Sequence, residues 1–345
     1  MNHPDTREWL LANGLGGYTS TTVCGANTRR YHGLLVAAVC PPVKRRVLLA
    51  RVDEFVHTSQ ASHELSCSCW HANSTTIRGG YSYLSDFTLD PVPTWTYRVA
   101  GGELSKQVYC PPGQNSVVIA YHWRGDNTIS LEIKLLANDR DYHSQTMASP
   151  DWQFDQQVDD RGIFRVQAHP PGEPAGTPWY WCCTPYRYTD YRFGGQWYRD
   201  YHWSAEQERG LPDHEDNYYL GSVLGSLMAG DRIALTFTTE ADPRPLDMRD
   251  LVSRRKDDAH RAVNRARLPQ VDLSHRLVSA ADQFVVRRGA TGEASIIAGY
   301  HWFTDWGRDA MLSLPGLLLC TGRFAEARGV LHTFAAQLDR GMLPN

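Results

Sequence analysis

Residues 20–239 consist of short stretches rich in Val, Tyr, Thr and Trp, separated by clusters of Gly, Pro, Asn and Asp. Stretches with these boundaries are typical of β-strands joined by turns. Helical segments do not alternate with them, so the pattern predicts a large antiparallel β-sandwich over residues 1–240. The strands that the pattern predicts include residues 33–39, 47–56, 94–99, 106–109, 116–123, 129–136, 162–168 and 232–238.

A different pattern begins after residue 240. Residues 241–270 are rich in Arg, Asp and Ala and contain three prolines, which predicts a polar linker with one exposed helix. From residue 271 to 345, apolar residues recur at spacings of three and four, as on the buried face of an amphipathic helix. The first such stripe, which Asp272 or Ser274 would cap, is Leu273, Leu277, Ala281, Phe284 and Val285. The second, which Gly341 would end, is Phe324, Ala327, Leu331, Phe334 and Leu338.

The composition excludes several classes of protein. The chain has 345 residues and a net charge of −3 at pH 7, so it has no overall positive field that would attract nucleic acid. Its longest apolar runs, such as residues 34–40, are far shorter than the roughly 18 residues of a membrane span. The N-terminal stretch has neither the basic nor the apolar region of a secretory signal. We therefore expect a cytoplasmic protein that binds neither nucleic acid nor membranes.

The eight cysteines do not form a metal-binding pattern. Paired CxxC modules are absent from the sequence, and the close pairs Cys67/Cys69 and Cys182/Cys183 lack the spacing of a zinc ribbon. Reduced and mostly buried thiols are the expected state in a cytosolic protein. The sequence therefore predicts no metal and no cofactor.

The first candidate motif combines glycines with adjacent arginines in residues 8–18 and 27–36. Its glycines do not form the G-x-G-x-x-G phosphate loop, because a threonine occupies the last position and no strand precedes the segment. One interpretation is that these glycines only permit tight turns. Alternatively, Arg29, Arg30 and His32 donate to hydroxyls or to a carboxylate of the other domain. We expect these three side chains to lie near the domain interface.

The second motif, residues 300–309, places aromatic rings, two carboxylates and an arginine within ten residues. A hydrophobic core does not need charges between tryptophans, so the charges are either paired in a structural lock or face a cleft. In the second case the motif is a sugar subsite, in which rings form walls, carboxylates accept from hydroxyls and the arginine keeps the carboxylates ionised. The candidate substrate-binding residues of this motif are Trp302, Asp305, Trp306, Arg308 and Asp309.

A third group consists of five carboxylates between residues 206 and 216. They are interpreted as a solvated acidic loop, since charged residues are rarely buried; the alternative is a loop of the β-domain that reaches the ligand site. These carboxylates are Glu206, Glu208, Asp213, Glu215 and Asp216. Most of the aromatic residues around them are expected to pack between strands, namely Trp179, Tyr180, Trp181, Trp197, Tyr198 and Trp203.

Both motifs resemble the bacterial and archaeal type of glycogen debranching enzyme, the amylo-α-1,6-glucosidase family. The resemblance rests on residues 8–36 and 299–323, with further similarity at residues 138–143 and 208–216. It implies an N-terminal β-sandwich domain followed by a catalytic six-hairpin (α/α)6 barrel. In this chain the implied boundaries are 1–240 for the sandwich, 241–270 for the linker and 271–345 for the first helices of the barrel.

The resemblance also implies an activity, the hydrolysis of α-1,6-linked glucose at branch points of glycogen, limit dextrin or another branched α-glucan. By likeness to related barrels, Arg308 and Asp309 would bind outer hydroxyls of the terminal glucose and would not be the acid or base. The acid and base are expected beyond Asn345, so we expect a truncated, inactive chain whose exposed helical stripes make it associate. The alternatives are a non-catalytic α-glucan-binding fragment, or an α-glucosidase or glucanotransferase acting on linear chains.

Overall fold

The computed structural model describes residues 3–70, 74–184, 189–289 and 291–343. The strands before residue 125 are β1 (Glu8–Ala12), β2 (Tyr18–Thr22), β3 (Gly33–Cys40), β4 (Val43–His57), β5 (Ser62–Glu64), β6 (Cys67–Trp70), β7 (Ser74–Gly79), β8 (Leu84–Thr88), β9 (Thr94–Val99), β10 (Gly102–Tyr109) and β11 (Ser116–Arg124). The later strands are β12 (Ile129–Asp141), β13 (Gln153–Val158), β14 (Phe164–His169), β15 (Trp179–Cys183), β16 (Thr189–His202), β17 (His214–Leu227), β18 (Arg232–Thr238), β19 (Val285–Arg287) and β20 (Ala294–Ile296). The helices are α1 (Ser204–Glu208), α2 (Met248–Arg265), α3 (Asp272–Asp282), α4 (Gly307–Leu314) and α5 (Phe324–Ala335).

Within the described ranges the strands up to β18 form two large antiparallel sheets. The first has the order β1-β2-β3-β4-β12-β17-β16-β6-β7, with β5 paired to β4, and the second has the order β13-β14-β15-β18-β11-β10-β9-β8. Alternate residues of facing strands, such as Ile133 and Leu135 on β12 and Ile119 and Tyr121 on β11, are buried in one shared core. This alternation is what a two-layer sheet requires. The predicted antiparallel β-domain is therefore confirmed.

The predicted strands are present, and three of them are several residues longer than the sequence pattern indicated: β4, β12 and β10, which begins at Gly102. β4 begins at Val43 and β12 continues to Asp141, and the two strands remain paired at Arg46 and Asp141. The extensions carry charged residues, which hydrophobic alternation does not detect. Ion pairs such as that between Arg46 and Asp139 satisfy these side chains, so the backbone ladder continues past the apolar segment.

The helix expected in the linker is present as α2. Its first turn is capped by Asp247, whose carboxylate accepts from the backbone N–H of Arg249 at 2.8 Å. Most of the helix is exposed, but Met248 and Leu251 are buried in the core of the sandwich. The linker is thereby packed onto the β-domain.

The first helix after the linker, α3, begins where the sequence predicted, but its buried face is different. Leu273 and Leu277 are 65% and 59% exposed, whereas Ser274 and Val278 are buried. The predicted inward stripe is therefore wrong for the two leucines. Local spacing establishes that a helix is amphipathic, but the elements packed against it, here α2 and the turn of π-helix after α4, decide which side is covered.

The predicted cap of α3 is wrong as well. Val271 occupies the N-cap position in an extended conformation, and no side chain caps the helix. Asp272 is already in the first turn, so its carboxylate is beyond the position from which an N-cap side chain accepts. Val285, the last member of the predicted stripe, lies in strand β19.

The last helix, α5, shows a similar shift. It ends at Ala335, so Leu338 lies beyond it. The buried residues of its inward face are Ala327, Val330 and Phe334, while Leu331 is 48% exposed. The prediction is therefore confirmed for Ala327 and Phe334, but Phe324 is 65% exposed and Val330 is buried in place of Leu331. The helix also ends before Gly341, which was predicted to stop it.

The hairpin β19–β20 attaches the helical part to the first sheet. The backbone N–H of Arg287 donates to the carbonyl of Gly14 at 2.9 Å, and that of Gly289 donates to the carbonyl of Pro41 at 3.0 Å. Gln283 Oε1 accepts from the N–H of Ala12 at 3.2 Å. These bonds position the chain from residue 283 onwards across β1–β3, next to the first candidate motif.

Candidate functional site

The two candidate motifs, far apart in sequence, meet in the structure. We call residues 300–302 the docking segment, because this stretch lies against β1–β4. The Nε2 atom of His301 is 2.8 Å from Ser20 Oγ, and the rings of His301 and His32 are 5.5 Å apart. The guanidinium of Arg29 lies 5.2 Å from the ring of Trp302. Arg29 and His32 therefore lie at the contact between the sandwich and the helical part, in the region predicted.

Arg45, on strand β4, contacts the docking segment. This arginine of β4 is completely buried, and its guanidinium lies 5.1 to 5.8 Å from the rings of Tyr18, Tyr142 and Tyr300. Cation–π attraction of this kind strengthens when the charge is desolvated. Arg45 Nη1 also donates to the carbonyl of His301 at 3.4 Å.

A second bond to the docking segment comes from Tyr142, whose hydroxyl donates to the carbonyl of Trp302 at 3.2 Å. Tyr142 lies in the stretch 138–143 that shares in the family resemblance, but no sequence feature pointed to Arg45. Arg45 is the middle residue of a basic triplet with Lys44 and Arg46, and nothing local distinguishes it from these neighbours, although Lys44 is exposed and Arg45 is completely buried.

The hydrogen bonds define the tautomers of the two histidines. The backbone N–H of Thr28 donates to His32 Nδ1 at 3.1 Å, so the proton of neutral His32 is on Nε2, which lies 3.3 Å from Glu8 in a close but poorly aligned contact. Ser20 Oγ donates to the carbonyl of Trp9 at 2.7 Å, so it accepts from His301 Nε2–H. Both imidazoles are thus held as neutral donors.

Burial sets the protonation of this cluster. Desolvation lowers the pKa of His32, and it lowers that of His301 to about 3, with the neighbouring His32 acting in the same direction. Burial alone would raise the pKa of Glu8, but its contacts with His32 and Arg29 outweigh burial and lower that pKa to about 2. Glu8 Oε1 accepts from Arg29 Nε at 2.5 Å. Glu8 is therefore the anion of the cluster.

The ring of Trp302 contacts side chains of the β-domain. Its ring lies within 6 Å of two guanidiniums, those of Arg29 and Arg209, and meets Tyr31 edge to face at 6.2 Å. Arg209 was not among the predicted site residues, although its segment was. The contact shows that the 206–216 region of the β-domain does reach the docking segment.

Asp305 is held in a lock within the helical part. Its carboxylate accepts from the Arg288 guanidinium and, at 2.7 Å, from Ser295 Oγ. The structural-lock interpretation of the second motif thus applies to Asp305, with Arg288 rather than Arg308 as its partner. Trp306 packs edge to face with Phe303, with ring centroids 4.9 Å apart.

Arg308 and Asp309 are accessible and paired with each other. They lie in the first turn of α4, which Trp306 precedes as N-cap residue, and Arg308 Nη2 is 3.1 Å from Asp309 Oδ2. The side chain of Arg308 is 63% exposed and that of Asp309 is 33% exposed. The amino-terminal turn favours a carboxylate, because the helix dipole is positive there. This pair offers both donors and acceptors to a ligand.

Arg30 points into the sandwich. It lies 3.7 Å from Glu206 and donates to the carbonyls of His143 at 2.6 Å and Pro212 at 2.9 Å. Its ion pair, these hydrogen bonds and its cation–π contact with Trp203 are all made within the β-domain. Arg30 thus joins the 206–216 region to the first motif, while Arg29 and His32 reach the docking segment.

The prediction of a solvated acidic loop is wrong for three of its five carboxylates. Glu206, Glu215 and Asp216 are buried, whereas Glu208 is exposed and Asp213 is half-buried. Buried carboxylates persist where charges and hydrogen-bond donors compensate for lost water.

The compensating groups come from distant parts of the chain. Glu215 forms an ion pair with Arg140, although burial still raises its pKa. Asp216 accepts from the backbone N–H groups of Ala148 and Asp200 at 2.7 and 2.8 Å. The neighbouring Trp179, Trp181 and Trp203 are buried, which agrees with the expected aromatic core.

Among the described residues, no group of three or more His, Cys, Asp or Glu side chains is arranged to hold a metal ion. No described helix is long and apolar enough to cross a membrane. None of the eight cysteines, all of which lie in the described ranges, forms a disulfide, and Cys40 and Cys320 are exposed.

Comparison with known proteins identifies the family. The family described as glycogen debranching enzyme N terminal matches residues 7–234, and the family described as amylo-alpha-1,6-glucosidase matches residues 279–345. The glycogen debranching enzyme of Saccharomyces cerevisiae is 52% identical over 40 residues, a match that covers 12% of this chain and 3% of the yeast protein.

Two solved structures are distantly similar. A bacterial glucoamylase complexed with acarbose shares 10% identity, with a TM-score of 0.46 over 99% of this chain and 50% of that one. A GalM/aldose epimerase homologue from C. elegans shares 10% identity, with a TM-score of 0.35 over 68% of this chain and 98% of that one.

A β-domain followed by helices, with a family match to each part, defines a protein related to glycoside hydrolases. The chain belongs to the glycogen debranching enzyme family, and residues 7–234 are its N-terminal region. The match spans a small part of the yeast relative's length.

Proposed function

We propose that this protein acts in the hydrolysis of α-1,6-linked glucose at branch points of glycogen, limit dextrin or a similar α-glucan. The observation that carries the proposal is the meeting of the two family motifs, in which Ser20, Arg29 and His32 of the sandwich contact the docking segment. The docking segment leads directly into α4 and its exposed Arg308–Asp309 pair. In this arrangement the sandwich holds the segment that leads into the helix carrying the proposed sugar-binding residues.

The domain boundaries of the proposal follow from the same family resemblance. We assign residues 1–240 to the β-sandwich domain, 241–270 to the linker and 271–345 to the first helices of an (α/α)6 catalytic domain. Helices α3, α4 and α5 and the exposed side chains on their outer faces support the last assignment, since a barrel of hairpins covers such faces with neighbouring helices.

Some residues of the second motif are proposed to bind the sugar, and others to hold the binding residues in place. Arg308 and Asp309 bind sugar hydroxyls, with the ring of Trp306 as an adjoining wall. Asp305, locked by Arg288 and Ser295, keeps the approach to α4 rigid. Trp302 joins the site to the sandwich, with Arg29 above it.

These carboxylates are not proposed as the acid and base. An inverting glycosidase needs a protonated acid and a carboxylate base roughly 6.5–9.5 Å apart on either side of the scissile bond. Asp305 is engaged by an arginine and a hydroxyl, and Asp309 by its neighbour Arg308. Both carboxylates thus already accept from arginine donors, a role that suits the binding of hydroxyl groups. We therefore expect residues 1–345 alone to release no glucose.

The test is glucose release from a branched limit dextrin by the full-length protein, with linear maltooligosaccharide as the comparison substrate. Asp309→Asn and Arg308→Ala should each lower kcat/KM about a hundredfold, because loss of positioning bonds misplaces the scissile linkage. The exposed Glu208→Gln serves as the matched control. Activity on linear chains only, or near-normal activity of both variants, would refute the proposal. Unfolding of the variants would instead support a purely structural role for the pair.

A further inference from the structure

A buried pair of thiols comes from nearly opposite ends of the strand order of the first sheet. Cys24 follows β2, near one end of the sheet order, and Cys67 begins β6, near the other end. Both are buried and share one small cluster with Ala26, against which Ile77 and Tyr81 pack. The function proposed above makes no use of this cluster.

The backbone of each cysteine is fixed by a hydrogen bond of its own. The N–H of Cys24 donates to the carbonyl of Asp5 at 2.8 Å. The carbonyl of Cys67 accepts from Arg51 Nη2 at 2.8 Å, and Arg51 is itself buried and paired with Asp53. The two side chains, held on these fixed backbones, meet in the shared cluster.

A small cavity gives one of the two thiols access to a reactant. It has a volume of about 20 Å³ and is lined by Cys24, Asn27, Arg51 and Ser66 among others, but not by Cys67. A cavity needs roughly 10–15 Å³ to hold a water molecule, so this one has room for a single water-sized group, which is the size of the terminal oxygen of a hydroperoxide. Cys24 lines this space, whereas Cys67 does not.

We propose that Cys24 and Cys67 form a redox modification site, at which a hydroperoxide oxidises the two thiols to a disulfide. The Cys24 thiolate attacks one peroxide oxygen; the O–O bond breaks, hydroxide leaves and Cys24 becomes a sulfenic acid. The sulfur of Cys67 then displaces the sulfenic hydroxyl, which departs as water with the Cys67 proton. The two sulfurs together lose two electrons and the peroxide gains them. The hydroxide takes up the proton that Cys24 released on ionising, so hydrogen peroxide is converted to two molecules of water.

The electrostatics of the pair favour this division of roles. The thiol of Cys67 acts as a hydrogen-bond donor to Cys24, which lowers the pKa of Cys24 to about 6 although burial opposes the effect. The pKa of Cys67 is raised by the same interaction and by burial. A thiolate is the nucleophile in such oxidations. Cys24, which lines the cavity, is therefore also the residue that more readily forms the thiolate.

The experiment uses the full chain with the two exposed cysteines replaced, Cys40→Ser and Cys320→Ser, to prevent links between molecules. After exposure to hydrogen peroxide, the intact mass should fall by two hydrogen atoms and return with dithiothreitol. Peptide mapping should join the segments that contain Cys24 and Cys67. Cys24→Ser and Cys67→Ser should each abolish the link, whereas Cys69→Ser, which alters the next thiol on β6, should keep it.

Three outcomes would overturn the inference: an unchanged mass, the gain of an oxygen at Cys24 without a cross-link, or a link from Cys24 to Cys69. The mass and the peptide map of the protein that retains both thiols decide the question without any variant at either position. Loss of folding in a serine variant therefore leaves the test intact.

Discussion

Replacing His301 with Gln should remove a specific pH dependence of stability. In the folded protein, burial between the sandwich and the helical part holds the pKa of His301 at about 3, below its ordinary value of 6.5. Because the pKa of His301 is lower in the folded protein than in the unfolded chain, the unfolded chain binds the proton more readily. The contribution of His301 to the free energy of unfolding is therefore fully present above pH 6.5 and is lost as the pH falls towards 3.

The magnitude follows from the gap between the two pKa values. At about pH 5 the imidazole of the unfolded chain is protonated and that of the native protein is not, so each pH unit below 6.5 removes about 1.4 kcal/mol. His301 alone should thus lower the free energy of unfolding by about 2 kcal/mol between about pH 7.5 and about pH 5. Glu8, with a pKa lowered to about 2, loses its contribution only below pH 4.5 and does not interfere.

Urea unfolding followed by tryptophan fluorescence at these two pH values measures the difference. His301→Gln keeps a donor for Ser20 Oγ but cannot titrate, so its stability should change with pH by about 2 kcal/mol less than that of the wild type. His3→Gln, on an exposed residue, should change with pH as the wild type does. Equal losses in His301→Gln and the wild type would show that His301 is not held neutral at the domain contact.

Two further predictions concern buried charge and exposed apolar surface. Glu215→Gln should destabilise the protein by about 3–5 kcal/mol in urea unfolding, because Arg140 would remain buried without its counter-charge. The control Glu208→Gln, at an exposed position, should change the free energy of unfolding little. Similar losses in both variants would contradict the importance of the buried ion pair. Leu277→Ser should reduce self-association in size-exclusion chromatography without loss of stability, since Leu277 is 59% exposed. Val278→Ser, one position further along and buried, should instead lower stability. If Leu277→Ser lowered stability and Val278→Ser did not, the inward stripe predicted from the sequence would be correct.

Most strands and helices of this fold can be predicted from the sequence, because residues that are close together in the chain determine them. Alternating apolar residues in stretches such as 116–123 and 129–136 produce strands wherever they can pair, and both appear as β11 and β12. The two motifs were also recognisable, since their residue types and order lie within short segments. Arg29 and His32 were placed correctly near the helical part for the same reason.

Tertiary structure decided which side chains are buried and with what partner. Leu277 and Val278 differ by one position on α3, and only the placement of α2 and the turn after α4 determines which of them is covered. Glu215 is buried because Arg140, 75 residues earlier, lies against it, and no local pattern carries that pairing. Arg45 is tolerated inside the protein because three tyrosines from separate segments surround it. Burial of a charge depends on long-range compensation, so it emerges only when the chain is folded.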